Sequence, residues 1–168
     1  MDKTLWIMVG APACGKSYIA KNVLMKGLGW RYISRDEVRF SIINENDDYF
    51  GKENQVYKQF IKNIKIAFDE DGVLNVIADA THLNWASRSK LLNALGQMEK
   101  KTWNIIPVVI NTPESTVMMN NDERTGRAFV PRSAIRRMRA QTTDPKSDPY
   151  KYTGIMYIDN TRFKEEEE

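Results

Sequence analysis

Residues 10–17 read GAPACGKS and follow directly on the apolar run LWIMV. The spacing G-x-x-x-x-G-K-S is that of a phosphate-binding loop, in which successive main-chain N–H groups surround an anion at the start of a helix. In such a loop Lys16 bridges the β- and γ-phosphates of ATP, and the Ser17 hydroxyl binds Mg²⁺. The nucleotide-binding residues that the motif predicts are Gly10, Ala13, Cys14, Gly15, Lys16 and Ser17. The alternative is a tight strand-to-helix turn with a solvated lysine.

The stretch SRDEVR supplies a group that could orient and deprotonate the acceptor of a phosphate. Asp36 comes just after the predicted strand RYIS, at the sheet edge where a general base would stand, and Arg39 comes one helical turn later. The alternative is that Ser34 or Asp36 caps a helix beginning at Glu37. From the sequence alone, both interpretations stay open.

A further apolar run ends in DATHLN. Asp79 occupies the position from which a carboxylate assists Mg²⁺ through water. Thr81, Asn84 and Arg88 follow in the loop and the first turn of the next helix, and we predict that they contact the substrate. Each of the three could instead be a cap or a solvated polar residue.

The region from residue 124 to residue 139, RTGRAFVPRSAIRRMR, carries six arginines and no acid. Three of them share one face of a predicted helix, as is typical of a solvated surface: Arg132, Arg136 and Arg139. Arg124 and Arg127 flank Gly126 in a loop between helices, where a mobile lid would place guanidinium groups over the transferred phosphate. We therefore predict catalytic roles for Arg124 and Arg127.

Strands alternating with helices would bring these motifs together. Apolar runs predict strands over 4–10, 31–34, 73–79, 103–110 and 154–159, although Pro107 weakens the fourth. Helical spacing predicts helices over 16–27, 53–68, 87–100, 113–123 and 131–142. This alternation is typical of an α/β fold in which helices cover both faces of a parallel sheet.

The length and composition limit the classes of protein to which the chain could belong. A chain of 168 residues with 42% hydrophobic residues suits one domain, which we place over residues 1–163, followed by an acidic, solvated tail over 164–168. A net charge of +3 is too small to indicate nucleic-acid binding by itself. Cys14 is the single cysteine, and the N-terminal apolar run is too short to span a membrane, so we expect a cytoplasmic protein. His82 is the single histidine, and without a second imidazole or a cluster of thiolates the sequence offers no zinc site. We therefore predict that His82 lies at the surface or supports the residues that contact the substrate, and that it is not catalytic.

Four motifs together resemble, in order and over nearly the whole chain, the kinase domain of phage-type polynucleotide 5′-hydroxyl kinases: GAPACGKS, SRDEVR, DATHLN followed by Arg88, and ERTGRAFVP. The resemblance implies a P-loop kinase three-layer sandwich with strand order 2-3-1-4-5 and an arginine-bearing lid, using ATP and Mg²⁺. It implies that Asp36 is the general base on the acceptor 5′-hydroxyl and that Arg39 holds the acceptor's phosphate. It also places Thr81 near the acceptor.

The lid departs from that family's usual pattern, R-N-x-x-R. The first arginine position is Asn120 in this sequence, so Arg124 keeps the second role and Arg127 would compensate. The function that we predict is ATP-dependent phosphate transfer to the 5′-hydroxyl end of DNA or RNA. Two alternatives stay open: a small-molecule kinase for a nucleoside, sugar or antibiotic hydroxyl, and an ATP-binding module without an acceptor. No membrane and no obligate protein partner is indicated.

Overall fold

The fold is built on one parallel β-sheet. A computed structural model describes residues 2–126 and 129–160, and within these residues the sheet has five strands. They are β1 (Thr4–Val9), β2 (Trp30–Ser34), β3 (Asn75–Asp79), β4 (Asn104–Asn111) and β5 (Met156–Asp159). The order is β2-β3-β1-β4-β5, with every neighbouring pair parallel. The strand order that the resemblance implies is confirmed.

Helices cover both faces of this sheet, as predicted. They are α1 (Lys16–Ile19), which continues as a π-helical turn over Ala20–Leu24, α2 (Arg35–Ile42), α3 (Glu53–Asp69), α4 (Trp85–Ala94), α5 (Glu114–Asp122) and α6 (Arg132–Gln141), with a 3₁₀ turn over Pro145–Ser147. Helices α1, α5 and α6 pack on the face that carries Met8 and Val108. Helices α3 and α4 pack on the opposite face, against Ile7 and Val76. No helix among the described residues is long and apolar enough to cross a membrane.

Strand β4 forms despite Pro107. Two residues before Pro107, the N–H of Ile105 donates to the Thr153 hydroxyl at 3.0 Å. The C=O of Ile105 accepts from the Thr153 N–H at 2.9 Å. Backbone groups two residues apart point to the same side of a strand, so the nitrogen of Pro107 also faces that side. Pairing with β5 begins only at Val108. The missing N–H of proline therefore costs no ladder hydrogen bond.

Two helix boundaries differ from the prediction. Helix α2 begins at Arg35, and Ser34 is its N-cap, since the Ser34 hydroxyl accepts from the Glu37 N–H at 3.2 Å. Helix α4 ends at Ala94 instead of running to residue 100, because Gly96 adopts a left-handed conformation with φ of 72°. The predicted acidic tail over 164–168 and the predicted lid residue Arg127 lie outside the described residues.

Candidate active site

The carboxyl ends of β1, β2 and β3 open into a cavity of about 1280 Å³. Its walls come from the phosphate loop, the start of α2, the loop before α3, the end of α5 and one face of α6. Nine of the predicted functional residues line it: Ala13, Gly15, Lys16, Ser17, Asp36, Arg39, Asp79, Thr81 and Arg124. Residues from distant parts of the sequence therefore meet at one edge of the sheet, as expected for parallel strands.

The two glycines of the phosphate loop are sterically required. A Cβ atom at Gly10 would lie 2.5 Å from the Cys14 sulfur, and one at Gly15 would lie 2.4 Å from Nδ2 of Asn160. Gly15 also has a φ of 97°, which side chains rarely adopt. Cys14 itself is buried and packs beneath the loop. These contacts fix the loop tightly around the start of α1.

Side chains from other elements hold the carbonyl groups of this loop. The Cys14 carbonyl accepts from the Thr112 hydroxyl at 2.6 Å and from the Asn160 amide at 3.1 Å. The Ala13 carbonyl accepts from the Asn120 amide at 3.1 Å. Because these carbonyls are turned toward fixed donors, the N–H groups at the start of α1 are left for an anion.

Lys16 and Ser17 stand at the mouth of the loop. The Lys16 ammonium donates to the carbonyls of Gly10 and Ala11, at 3.0 and 2.9 Å. The Ser17 hydroxyl donates to Oδ2 of Asp79 at 2.9 Å. Serine and aspartate therefore present two oxygen atoms side by side.

Tyr32 completes this oxygen cluster, and sequence reasoning missed it. Its hydroxyl donates to the same Asp79 oxygen and lies 3.0 Å from the Ser17 hydroxyl. Burial, together with the Asp79 charge, raises the pKa of Tyr32 above its usual value. The phenol thus keeps its proton and acts as a donor that fixes the carboxylate. Tyr32 lies on β2, and the only sequence signal that it faces Asp79 is the alternation of side chains between the two faces of a strand.

Asp36 belongs to a second polar cluster that lines the same cavity. The Tyr49 hydroxyl donates to Oδ1 of Asp36 at 2.6 Å, and Nη1 of Arg39 pairs with the same oxygen. Burial and the Asp36 charge raise the pKa of Tyr49, so this phenol also stays a donor. Within the described residues, the other oxygen of Asp36 makes no hydrogen bond, and the side chain is 57% exposed.

Arg39 is fully engaged by protein groups. Its Nε and Nη2 donate to the Glu53 carboxylate at 2.9 to 3.3 Å, and its Nη1 also donates to the Tyr49 hydroxyl at 2.8 Å. The side chain is 5% exposed and stacks over the Tyr49 ring, 4.3 Å from its centre. The expected contact with an acceptor phosphate would therefore require Glu53 to release the guanidinium. Glu53 also pairs with Arg35 and was not singled out from the sequence.

Two predicted substrate contacts have structural positions instead. The Asn84 side chain caps α4, accepting from the Ser87 N–H at 3.1 Å within a capping box. Arg88 is fully buried, and its Nε and Nη2 donate to the Asp148 carboxylate at 2.7 and 2.9 Å. Neither side chain lines the cavity. The expectation of substrate contacts from Asn84 and Arg88 is corrected accordingly, whereas Thr81 does line the cavity.

The basic region after α5 divides between cavity and solvent. Arg124 lines the cavity, and its role in a lid stays a prediction. Arg132 and Arg136 form exposed ion pairs with Asp122 and Glu114, as predicted for a solvated face. The sequence does not distinguish Arg137 from these solvated arginines, yet Arg137 lines the cavity.

A family model described as an AAA domain matches residues 5–145 of the sequence. The chain belongs to this AAA domain family. No curated protein matches it in sequence. The family assignment agrees with the parallel sheet and with the phosphate loop between β1 and α1.

Solved structures similar to this AAA domain include kinases and an RNA repair assembly. A chain of the Pnkp1/Rnl/Hen1 RNA repair complex is 22% identical with a TM-score of 0.66, over 83% of this chain and 44% of that one. A fungal RNA kinase is 13% identical with a TM-score of 0.61, over 94% and 74%. A sugar kinase from Janibacter sp. HTCC2649 is 15% identical with a TM-score of 0.59, over 95% and 86%. The AAA domain spans less than half of the first of these chains. At these identities the likeness establishes a P-loop kinase-like fold.

The AAA domain's residues fit ATP with Mg²⁺. Glycine at positions 10 and 15 keeps the loop tight against Cys14 and Asn160, and the N–H groups at the start of α1 are placed to bind phosphate oxygens. The Ser17 hydroxyl and the Asp79 carboxylate are oxygen ligands of the kind that Mg²⁺ prefers. Within the described residues, no group of three or more histidine, cysteine or acidic side chains could hold a metal, so the remaining ligands would be phosphate and water oxygens.

His82 is a core residue of the AAA domain, so the surface position, one of the two predicted, is wrong. It is buried, has a φ of 42°, and places its Nδ1 atom 2.9 Å from the Met8 carbonyl. Burial is the main cause that lowers the pKa of His82 to about 4. The imidazole is therefore neutral at neutral pH and takes no part in the cavity.

Proposed function

We propose that this AAA domain transfers the γ-phosphate of ATP to the 5′-hydroxyl end of a nucleic acid, DNA or RNA. The observation that carries the proposal is the position of Asp36, an exposed carboxylate in the same cavity as Lys16 and Ser17. A module that only binds ATP has no need of a carboxylate that two donors hold in place. A kinase needs one to orient its acceptor.

Each side chain then has a distinct task. Bound ATP with Mg²⁺ supplies the transferable phosphoryl group and neutralises part of its charge. Lys16 exchanges its two carbonyl partners for phosphate oxygens. The oxygens of Ser17 and Asp79 would hold Mg²⁺. The unbonded oxygen of Asp36 accepts the hydrogen bond of the acceptor hydroxyl and takes its proton late in the transfer.

Tyr49 and Arg39 orient this carboxylate. Both donate to Oδ1 of Asp36, so the carboxylate cannot rotate freely and Oδ2 stays directed to the acceptor side. Glu53 in turn fixes Arg39 by accepting from two of its nitrogen atoms. Arg124 also lines the cavity, and a guanidinium there can stabilise charge on the transferred phosphate. The names of two similar structures, an RNA repair complex and an RNA kinase, agree with this proposal.

A second candidate function is phosphorylation of a small, amine-bearing hydroxyl compound. The loop between α2 and α3 contributes three acids to the cavity wall: Glu45, Asp47 and Asp48. Of these, Asp47 pairs with Lys52 at 3.4 Å. Acidic side chains repel a polyanion and attract an amine, so they favour an aminosugar-like acceptor over a long strand.

One experiment separates the two candidates. The protein is incubated with γ-labelled ATP and Mg²⁺ together with 5′-hydroxyl DNA and RNA oligonucleotides, nucleosides, sugars and aminosugars in parallel. We expect label on the oligonucleotides, and at their 5′ ends. Label on an aminosugar alone would replace the proposed function by the second candidate, and ATP binding without any labelled acceptor would refute both.

A further inference from the structure

Helix α6 presents one face to the cavity. Val130 and Pro131 precede the helix, and Ala134, Arg137 and Met138 lie on it at helical spacing; all five line the cavity wall. Four of these side chains carry no charge. Arg137 is therefore the cationic group of this face.

Arg137 differs from the other arginines of α6 in its partners. Arg132 and Arg136 pair with Asp122 and Glu114, and Arg139 donates to the Thr112 carbonyl at 3.0 Å. Among the described residues, no hydrogen bond, ion pair or aromatic ring engages Arg137. Its guanidinium is exposed at the cavity wall, with all its donors available for a ligand.

Two other arginines next to Asp36 line the cavity, Arg35 and Arg39, and both pair with Glu53. Arg39 is bonded to Glu53, Asp36 and Tyr49 through all three guanidinium nitrogens. Breaking the two-pronged pair with Glu53 would leave a carboxylate without its main partner in a partly buried position. An arriving phosphate gains more from a guanidinium that gives up no protein contact.

We infer that Arg137 binds a phosphodiester or 3′-phosphate group of the acceptor strand and so selects acceptors that carry a phosphate. This inference rests on the proposed function. A planar guanidinium matches the oxygens of a phosphate with two parallel hydrogen bonds. Arg39, in contrast, is a positioning residue for Asp36.

The test compares four proteins: wild type, Arg137→Ala, Arg137→Lys, and Arg136→Ala as the matched control on the same helix. Alanine favours helices and position 137 is exposed, so the variant should fold normally. Each protein is assayed with ATP and three 5′-hydroxyl acceptors: a nucleoside, a nucleoside 3′-phosphate and a short oligonucleotide. KM and kcat are measured for each acceptor and for ATP, and binding of a labelled oligonucleotide is followed by fluorescence anisotropy.

We expect Arg137→Ala to raise KM for the two phosphate-bearing acceptors about tenfold, with kcat and the KM for ATP unchanged. The nucleoside should be affected little, Arg137→Lys should recover part of the affinity, and Arg136→Ala should match wild type. The slope of log affinity against log salt should fall by about one for Arg137→Ala.

The outcomes separate the two hypotheses. If wild type phosphorylates oligonucleotides and Arg137→Ala behaves like Arg136→Ala, the inference fails while the proposed function stands. If Arg137→Ala lowers kcat equally with all three acceptors, Arg137 serves the transferred phosphate and the inference is also overturned. If wild type neither phosphorylates nor binds an oligonucleotide, the proposed function and the inference fail together.

Discussion

Replacing Asp36 by asparagine tests the acceptor half of the site. Two donors, the Tyr49 hydroxyl and Nη1 of Arg39, converge on Oδ1 of Asp36. In the variant only the amide oxygen can accept from them, so it must occupy the position of Oδ1. The amide NH₂ group then takes the position of Oδ2 and presents a donor, not a proton acceptor, to the incoming hydroxyl.

The expected loss of turnover follows from this replacement of a proton acceptor by a donor. Loss of a general base lowers kcat by about 10²- to 10⁴-fold, and we expect Asp36→Asn to fall in that range with its best acceptor. Affinity for ATP should stay near that of wild type, because Asp36 is not part of the phosphate loop and its hydrogen-bond partners are Tyr49 and Arg39. Stability should change by about 1 kcal/mol or less, because the carboxylate is mostly exposed and Arg39 keeps Glu53 as a partner.

The assay measures transfer from γ-labelled ATP at saturating acceptor, with nucleotide affinity determined separately by a fluorescent ATP analogue. Asp48→Asn is the control, since it removes a carboxylate from the same cavity but outside the Asp36 cluster. Wild-type turnover in a folded Asp36→Asn protein would show that Asp36 is merely a first-turn residue of α2. The assignment of the acceptor site would then lose its basis.

Three further predictions concern the loop and the core. Lys16→Ala should lower kcat about a hundredfold or more while urea denaturation stays unchanged, because the ammonium serves the phosphates; turnover near wild type would contradict the phosphate-loop assignment. Arg88→Met leaves the buried Asp148 carboxylate with the Tyr152 hydroxyl as a donor but without its cation. The free energy of unfolding should fall by about 3–5 kcal/mol, and a loss below about 1 kcal/mol in urea would show that the ion pair is dispensable. The folded pKa of His82, about 4, lies below its ordinary 6.5. The unfolded chain therefore binds more protons between these values, and stability falls by up to about 3 kcal/mol as pH drops through this window. His82→Asn tolerates the positive φ and can donate to the Met8 carbonyl, so its unfolding free energy should change less between pH 7 and pH 4.5; equal pH dependence in both proteins would rule out this role.

Local patterns were sufficient for the sheet and the phosphate loop. A buried parallel strand is a short apolar run, and the run before Gly10 leads directly into the loop and α1, so type and order could be predicted from neighbouring residues. Pro107 shows the limit of such rules. Whether this proline disrupts β4 depends on whether its nitrogen faces a hydrogen-bonding neighbour, and the register with β5 decides that.

The partners of charged side chains could not be predicted in the same way. Arg39 finds Glu53 across 14 residues, and Arg88 finds Asp148 across 60. A spacing argument detects a guanidinium near a catalytic acid, but not the second acid that occupies it. For the same reason the sequence could not distinguish Arg137 from Arg136, since only the packing of α6 decides which one faces the cavity.

The bracing of the phosphate loop has a consequence for how the chain folds. The Cys14 carbonyl is held by Thr112, 98 residues further along, and by Asn160, 146 residues further along. Synthesis proceeds from the N-terminus, so the phosphate loop leaves the ribosome long before Thr112 and Asn160 have been made. Contacts of such long range form late, because closing large loops costs chain entropy before the contacts repay it. We therefore expect a nascent chain to acquire tight nucleotide binding only after residue 160 has emerged, and ATP to stabilise the assembled sheet instead of guiding its early assembly.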